Sequence, residues 1–171
     1  MSTKLPPHSQ EAEWSVLGSM ISEPSCIPVV KSIIESSMFY SSSCKKLFEL
    51  VCDMSDDGIS IDLVSVCSAL TPSMKESGVT PYFVSELVTD TMSANYEHHS
   101  NIIRDKFLLR NIINKSRKIA EASYDSMKDA MSMLTDTHQE IGFLMNSHSE
   151  KNESMDELVD KTIDSIANSK D

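Results

Sequence analysis

Glycine and proline are scarce in this sequence, with four of the first and six of the second among 171 residues. A β-sandwich or barrel, with its many tight turns, needs more of both, so an all-α fold is the first expectation. The four glycines, Gly18, Gly58, Gly78 and Gly142, lie far apart. A phosphate-binding loop gathers backbone amides where side chains would obstruct them, and no G-x-x-x-x-G-K-[ST] run is present, which excludes nucleotide hydrolysis by these residues. The four cysteines, Cys26, Cys44, Cys52 and Cys67, form no C-x-x-C pair, and three lie within apolar helical patterns, so they read as buried reduced thiols. No apolar run approaches the ~20 residues of a membrane span, and the opening MSTKLPPHSQ lacks the apolar core of a secretory signal. A soluble, cytoplasmic protein with no membrane partner is expected.

Forty percent of the residues are hydrophobic, enough to bury a core at this length. The net charge of −11 is unevenly spread: −7 over residues 1–92, +3 over 93–122 and −7 over 123–171. All three arginines, Arg104, Arg110 and Arg117, fall in the middle stretch. A duplex-binding domain normally carries a basic footprint, because phosphate contacts supply most of its affinity, so gripping DNA alone is not expected of this chain.

Hydrophobic spacing and punctuation predict a head of short helices over residues 1–92. Ser9 is placed to cap a first helix carrying Trp14, Val16, Leu17, Met20 and Ile21, with Glu11 and Glu13 suited to its positive end. Glu23-Pro24 breaks it, and Ile27 to Ile34 make a second. A Ser-rich turn over 36–43 should tuck Met38, Phe39 and Tyr40 onto the core. A third helix, Leu47 to Met54, is stopped by Asp57-Gly58, and Asp62 caps a fourth through Leu70. Residues 71–81 read as a loop, followed by a short helix through Tyr82, Phe83, Leu87 and Val88.

From Ser93 to Tyr124 the chain reads as one long helix without Gly or Pro, and after a short turn a second helix runs to Asn146. The pair predicts an antiparallel hairpin over residues 93–146. At 100° per residue, Ile102, Leu108, Leu109, Ile112, Ile113, Ile119 and Ala120 share one arc, and Ile103 and Phe107 form a second ridge. The partner helix sets Met127, Met131, Leu134, His138, Ile141 and Met145 at alternating steps of four and three, a coiled-coil-like seam. With more apolar surface than its own packing uses, the hairpin should self-associate through Ile103, Phe107 and that seam. Residues 147–171 then read as a polar linker and a helix. Its capping box is Ser154 to Glu157, and its apolar face is Met155, Val159, Ile163 and Ile166.

Catalytic chemistry finds little support. His98-His99 point about 100° apart on a helix, with no third ligand three or four positions away, and read as polar surface. Asp56-Asp57 and Asp156-Glu157 lack an apolar cleft that would shift a carboxylate pKa. The basic run Arg104, Lys106, Arg110, Lys115, Arg117 and Lys118 is the best nucleic-acid candidate, yet the ridge splits it and no aromatics interleave it. Pairing with neighbouring acidic helices is the ordinary alternative.

The opening PPHSQEAEWSVLGSM resembles the start of the N-terminal domain of DnaB-type replicative DNA helicases, where P-x-S-x-E-A-E-x-S-V-L-G opens the first helix. The resemblance continues in order through Phe39-Tyr40, Leu47-Phe48-Glu49, Gly58-x-x-Ile61-Asp62-Leu63-Val64, Ala94-Asn95 and Ile102-Ile103-Arg104-Asp105-Lys106-x-x-Leu109-Arg110. It departs at Cys44, where the family has histidine, at His98-His99, where it has tyrosines, at Met92, where it has proline, and before Tyr82, where it has Gly-Gly.

The resemblance implies a compact helical head, then a hairpin that pairs with a neighbour's to build a trimer-of-dimers collar. A linker helix then docks through Met155, Val159, Ile163 and Ile166 on the next subunit's motor domain. It implies self-association into a hexamer, binding of primase and of a helicase loader, and a bacterial, phage or plasmid origin. ATP, Mg and most single-stranded DNA contact would belong to the parent's motor domain. That domain would follow this chain, which carries no enzyme activity or cofactor of its own and is either a piece of a longer helicase or a short homologue. The competing expectation is a stand-alone helical factor that meets nucleic acid weakly through Arg104, Arg110 and Arg117.

Overall fold

The computed structural model describes residues 4–90, 95–124 and 129–142, all helix or connection with no strand among them. Helix α1, Gln10–Ser22, begins where the Ser9 hydroxyl accepts the Ala12 amide at 3.3 Å, and it stops before Pro24, which opens a 3-10 turn. Helix α2 spans Ile27–Ile33, and a second 3-10 turn, Ser36–Met38, leads to α3, Ser42–Asp56. The Ser41 hydroxyl caps α3 by accepting the Cys44 amide at 3.3 Å. Gly58, at φ 68°, turns the chain away in the left-handed conformation that suits glycine. Asp62 and Ser65 form a reciprocal capping box at the start of α4, Leu63–Ala69. Helices α5, Pro72–Glu76, and α6, Pro81–Asp90, complete the series of short helices.

Helix α1 is the centre of this head and packs against α6 and α3. Val16, Leu17 and Met20 of α1, Leu47 and Val51 of α3, and Val84 and Leu87 of α6 are buried. Each such side chain contributes roughly 1.5–3 kcal/mol of transfer free energy. Met38 and Phe39 are buried as expected, and Phe39 lies against Phe48 with ring centroids 5.0 Å apart. Tyr40 departs from expectation: its ring is 42% exposed.

Residues 71–81 are not a plain loop. Thr71 accepts the Met74 amide through its side chain, Pro72 sits in the first turn, and Gly78 ends the segment at φ 92°. The same punctuation that bounds long helices here encloses a helix of five residues.

Helix α7 runs from Tyr96 to Ser123, and residues 130–142 form α8. The chain divides into two compact units between Asn111 and Ile112, inside α7. In the second unit Lys115 meets Glu140 at 3.4 Å. Lys118, Ile119 and Ala122 lie across a cleft of about 230 Å³ from Met133, Asp136 and Thr137. Low numbers pair with high ones, as an antiparallel hairpin requires. Among the described residues no helix is long and apolar enough to cross a membrane.

All four cysteines are free, with Cys26 and Cys44 buried. Burial pushes the Cys26 and Cys52 thiols up to about 11 and the Cys44 thiol up to about 12. Thiols that stay protonated in the folded chain but ionise near 9.0 once unfolded should make stability fall as pH climbs from about 9 toward 12. Cys44 should be the last to react with DTNB at pH 8, and early labelling there would contradict its burial. Gly78 offers a second test, because an added Cβ would meet Ser43 Oγ at 3.2 Å, whereas one at Gly58 would meet nothing within 4 Å. Gly78→Ala should cost about 1–3 kcal/mol in urea unfolding and more than Gly58→Ala. Equal costs would show that the Ser43 contact imposes nothing.

Candidate functional site

Buried charge marks the point where the head takes hold of α7. Glu13 lies at the i, i+3, i+4, i+7 spacing of Val16, Leu17 and Met20, so α1 turns its carboxylate inward. There Oε1 accepts the Tyr40 amide at 2.7 Å and Oε2 accepts the Ser41 amide at 3.2 Å, just ahead of α3. A carboxylate at that end of α3 also meets the favourable end of its dipole.

Arg110 holds the same turn from the other side. Its Nη1 donates to the Pro7 carbonyl at 2.7 Å and its Nη2 donates to the Met38 carbonyl. The guanidinium lies 5.7 Å from the ring centroids of both Tyr40 and Phe107. Burial lowers the Arg110 pKa, while Glu13 and Tyr40 oppose that shift. Two of the guanidinium's donors thus go to the protein's own backbone, which counts against Arg110 as a nucleic-acid contact.

Ser100, Ile103, Phe107 and Arg110 follow at steps of three, four and three, which makes one stripe of α7. Ser100 is fully buried, Ile103 is 2% exposed and Phe107 is half-buried. The ridge expected to meet another copy is thus partly taken up within the first unit: Ile103 is covered there, while Phe107 keeps part of its surface open. Leu109, Ile112 and Ile113, on the far side of α7, stay open to solvent.

Helix α8 repeats this split. Met133, Asp136, Thr137 and Glu140 turn toward α7. The predicted seam faces outward, with Met131 68%, Leu134 64% and Ile141 48% exposed, and His138 exposed beside them. Met127 and Met145, and with them Met155, Val159, Ile163 and Ile166, lie outside the described residues. Of the other arginines, Arg104 is half-buried and Arg117 is exposed. No group of three or more His, Cys, Asp or Glu residues placed to hold a metal occurs among the described residues. His98 and His99 stand edge to face at 5.7 Å, and burial lowers the His99 pKa.

The family model for the DnaB-like helicase N terminal domain matches residues 5–105, a span that takes in α1 to α6 and, on the inner stripe of α7, Ser100 and Ile103. The chain belongs to the DnaB-like helicase N-terminal domain family. It is 33% identical over 167 residues to the replicative DNA helicase DnaB of Rhodothermus marinus, covering 95% of this chain and 18% of that protein. It is 28% identical over 171 residues to the replicative DNA helicase DnaC of Bacillus subtilis, covering 97% and 37%. The chain therefore spans well under half the length of these curated relatives, and the part it matches is the N-terminal domain. The fold matches the crystal structure of the N-terminal domain of DnaB helicase from Mycobacterium tuberculosis with a TM-score of 0.69 at 22% identity, over 80% of this chain and 99% of that one. A DnaB-like replicative helicase whose structure is described with its interactions with primase matches at 0.60 and 21% identity, over 75% and 31%.

Sequence reasoning placed Glu13 in the first turn of α1 and missed its part in this family's head. The available signal was a carboxylate in register with the buried face of an otherwise apolar helix. Glu13→Gln should destabilise the head by about 1–3 kcal/mol in urea unfolding, because the amide replaces one acceptor oxygen with a donor facing a donor. A change below about 0.5 kcal/mol would show that the turn holds without the carboxylate.

Proposed function

We propose that this chain forms the collar of a hexameric replicative DNA helicase. Its copies pair through the outward faces of α7 and α8, and the collar recruits primase and a helicase loader during DNA replication. One observation carries the assembly step: among the described residues, none from 104 to 142 is buried, while Leu109, Ile112, Ile113, Met131, Leu134 and Ile141 stay exposed. A hairpin without a core of its own gains one by laying that apolar surface against a second copy. Steps of four and three along Met131, Leu134, His138 and Ile141 suit such helix-to-helix packing.

Family membership supports the collar reading, and primase as a partner is supported by the similar helicase whose structure is described with its primase interactions. The loader, single-stranded DNA contact through a motor domain, and the docking of Met155, Val159, Ile163 and Ile166 on that domain belong to the same proposal. So does action in the bacterial cytoplasm, in keeping with bacterial relatives. ATP and Mg would serve the motor, since the sequence holds no phosphate-binding loop. The weak nucleic-acid reading loses support with Arg110 engaged internally and Lys115 paired with Glu140.

Leu134→Asp puts a charge in the middle of the proposed contact and should raise the dissociation constant of self-association at least about tenfold, with helicity retained. Light scattering across a concentration series reads this directly. An unchanged mass for a folded variant would remove α8 from the interface.

A further inference from the structure

The segment Leu5 to His8 lies on the head as a bound peptide would. It is non-helical and proline-stiffened with a bend at Pro7, the Arg110 guanidinium donates to its Pro7 carbonyl, and the His8 ring stacks on Tyr40 at 4.4 Å and 18°. Aromatic side chains beside a donor aimed at a proline carbonyl are how proteins read extended proline-containing peptides. Two further observations separate this from ordinary chain packing.

The segment brings little burial of its own. Leu5 is 77% exposed, Pro7 and His8 are only half-buried, no described residue before Ala12 belongs to the core, and the one hydrogen bond the segment makes to itself joins His8 Nδ1 to the Pro6 carbonyl at 2.8 Å. Contacts that do not involve the segment also hold the surface beneath it. Glu13 fixes the Tyr40 and Ser41 amides, and the second arm of Arg110 is anchored on the Met38 carbonyl. The receptor is thus preformed and its occupant is lightly held, the condition under which one peptide can replace another at little ordering cost.

We propose that the surface made by Tyr40, Phe107 and Arg110 is a docking site for a non-helical, proline-containing peptide. Residues 5–8 occupy it in cis, and a partner's segment of the same chemistry takes it when they lift away. The tethered segment competes at the millimolar effective concentration typical of a short linker, so it acts as a built-in inhibitor of the site. This surface is separate from the outward faces of α7 and α8, and its test does not depend on assembly.

A fluorescein-labelled LPPHSQ peptide, the sequence of Leu5 to Gln10, is titrated by polarisation against the full chain and against a chain lacking residues 1–7, which keeps the Ser9 cap. The shortened chain should bind at least about tenfold more tightly than the full chain, because the cis competitor is gone. Arg110→Ala in the shortened chain should abolish binding; if circular dichroism shows that variant unfolded, Tyr40→Ala, at a half-exposed position, is read instead. A peptide with both prolines replaced by alanine should bind about tenfold more weakly. Absence of binding to a folded shortened chain, binding that survives loss of Tyr40 or Arg110, or equal binding of the alanine peptide would each overturn the proposal.

Discussion

A carboxylate buried in an apolar helix face is the constraint around which this head is arranged. Glu13 could not sit among Val16, Leu17 and Met20 without donors, and the chain supplies them from the Tyr40 and Ser41 amides. Satisfying one group fixes the path of the 38–41 turn and the start of α3. The turn then offers the Met38 carbonyl to Arg110, so a requirement that begins in α1 ends by locating a residue more than seventy positions away. Arg110 in turn is tolerable at partial burial because two carbonyls, two aromatic rings and the nearby Glu13 charge surround it. Neither charge is explained alone.

The same arrangement gives α7 two distinct faces. Its Ser100–Ile103–Phe107–Arg110 stripe is spent on the first unit, which leaves Leu109, Ile112 and Ile113 unspent. A helix so divided belongs to the head on one side and keeps apolar surface open on the other. The place where the chain divides, between Asn111 and Ile112, lies one residue beyond Arg110, the last of the inner stripe. The boundary between the two compact units thus falls inside a continuous helix.

Much of the architecture could be read from the sequence because its signals are local. Ser9, Asp57-Gly58 and Asp62 act on residues within a turn of themselves, and each bounds a helix where expected. Thr71-Pro72 and Gly78 carried the same information for α5, but five residues are too few for hydrophobic spacing to register. The site was harder, because its decisive partners are distant. Periodicity identified two apolar surfaces on α7 but held no information on which one the head would cover, and Leu109, Ile112 and Ile113 of the larger arc proved exposed. For Arg110, neighbouring Lys and Arg residues suggested a basic face, while its actual partners, Pro7 and Met38, are carbonyls that no composition argument can locate. On α8 the steps of four and three marked one stripe but not the side it would take, and the structure leaves Met131, Leu134 and Ile141 exposed.

Trp14 is the single tryptophan of the chain and sits on α1, half-buried, with Phe83 of α6 edge-on at 5.9 Å. It stands one residue from Glu13, and it belongs wholly to the first compact unit. Its emission therefore reports the solvent around the α1–α6 contact, whereas far-ultraviolet ellipticity sums the helices of both units. The two signals coincide on unfolding only if head and hairpin melt as one. Nature has labelled one half of this molecule optically and left the other dark.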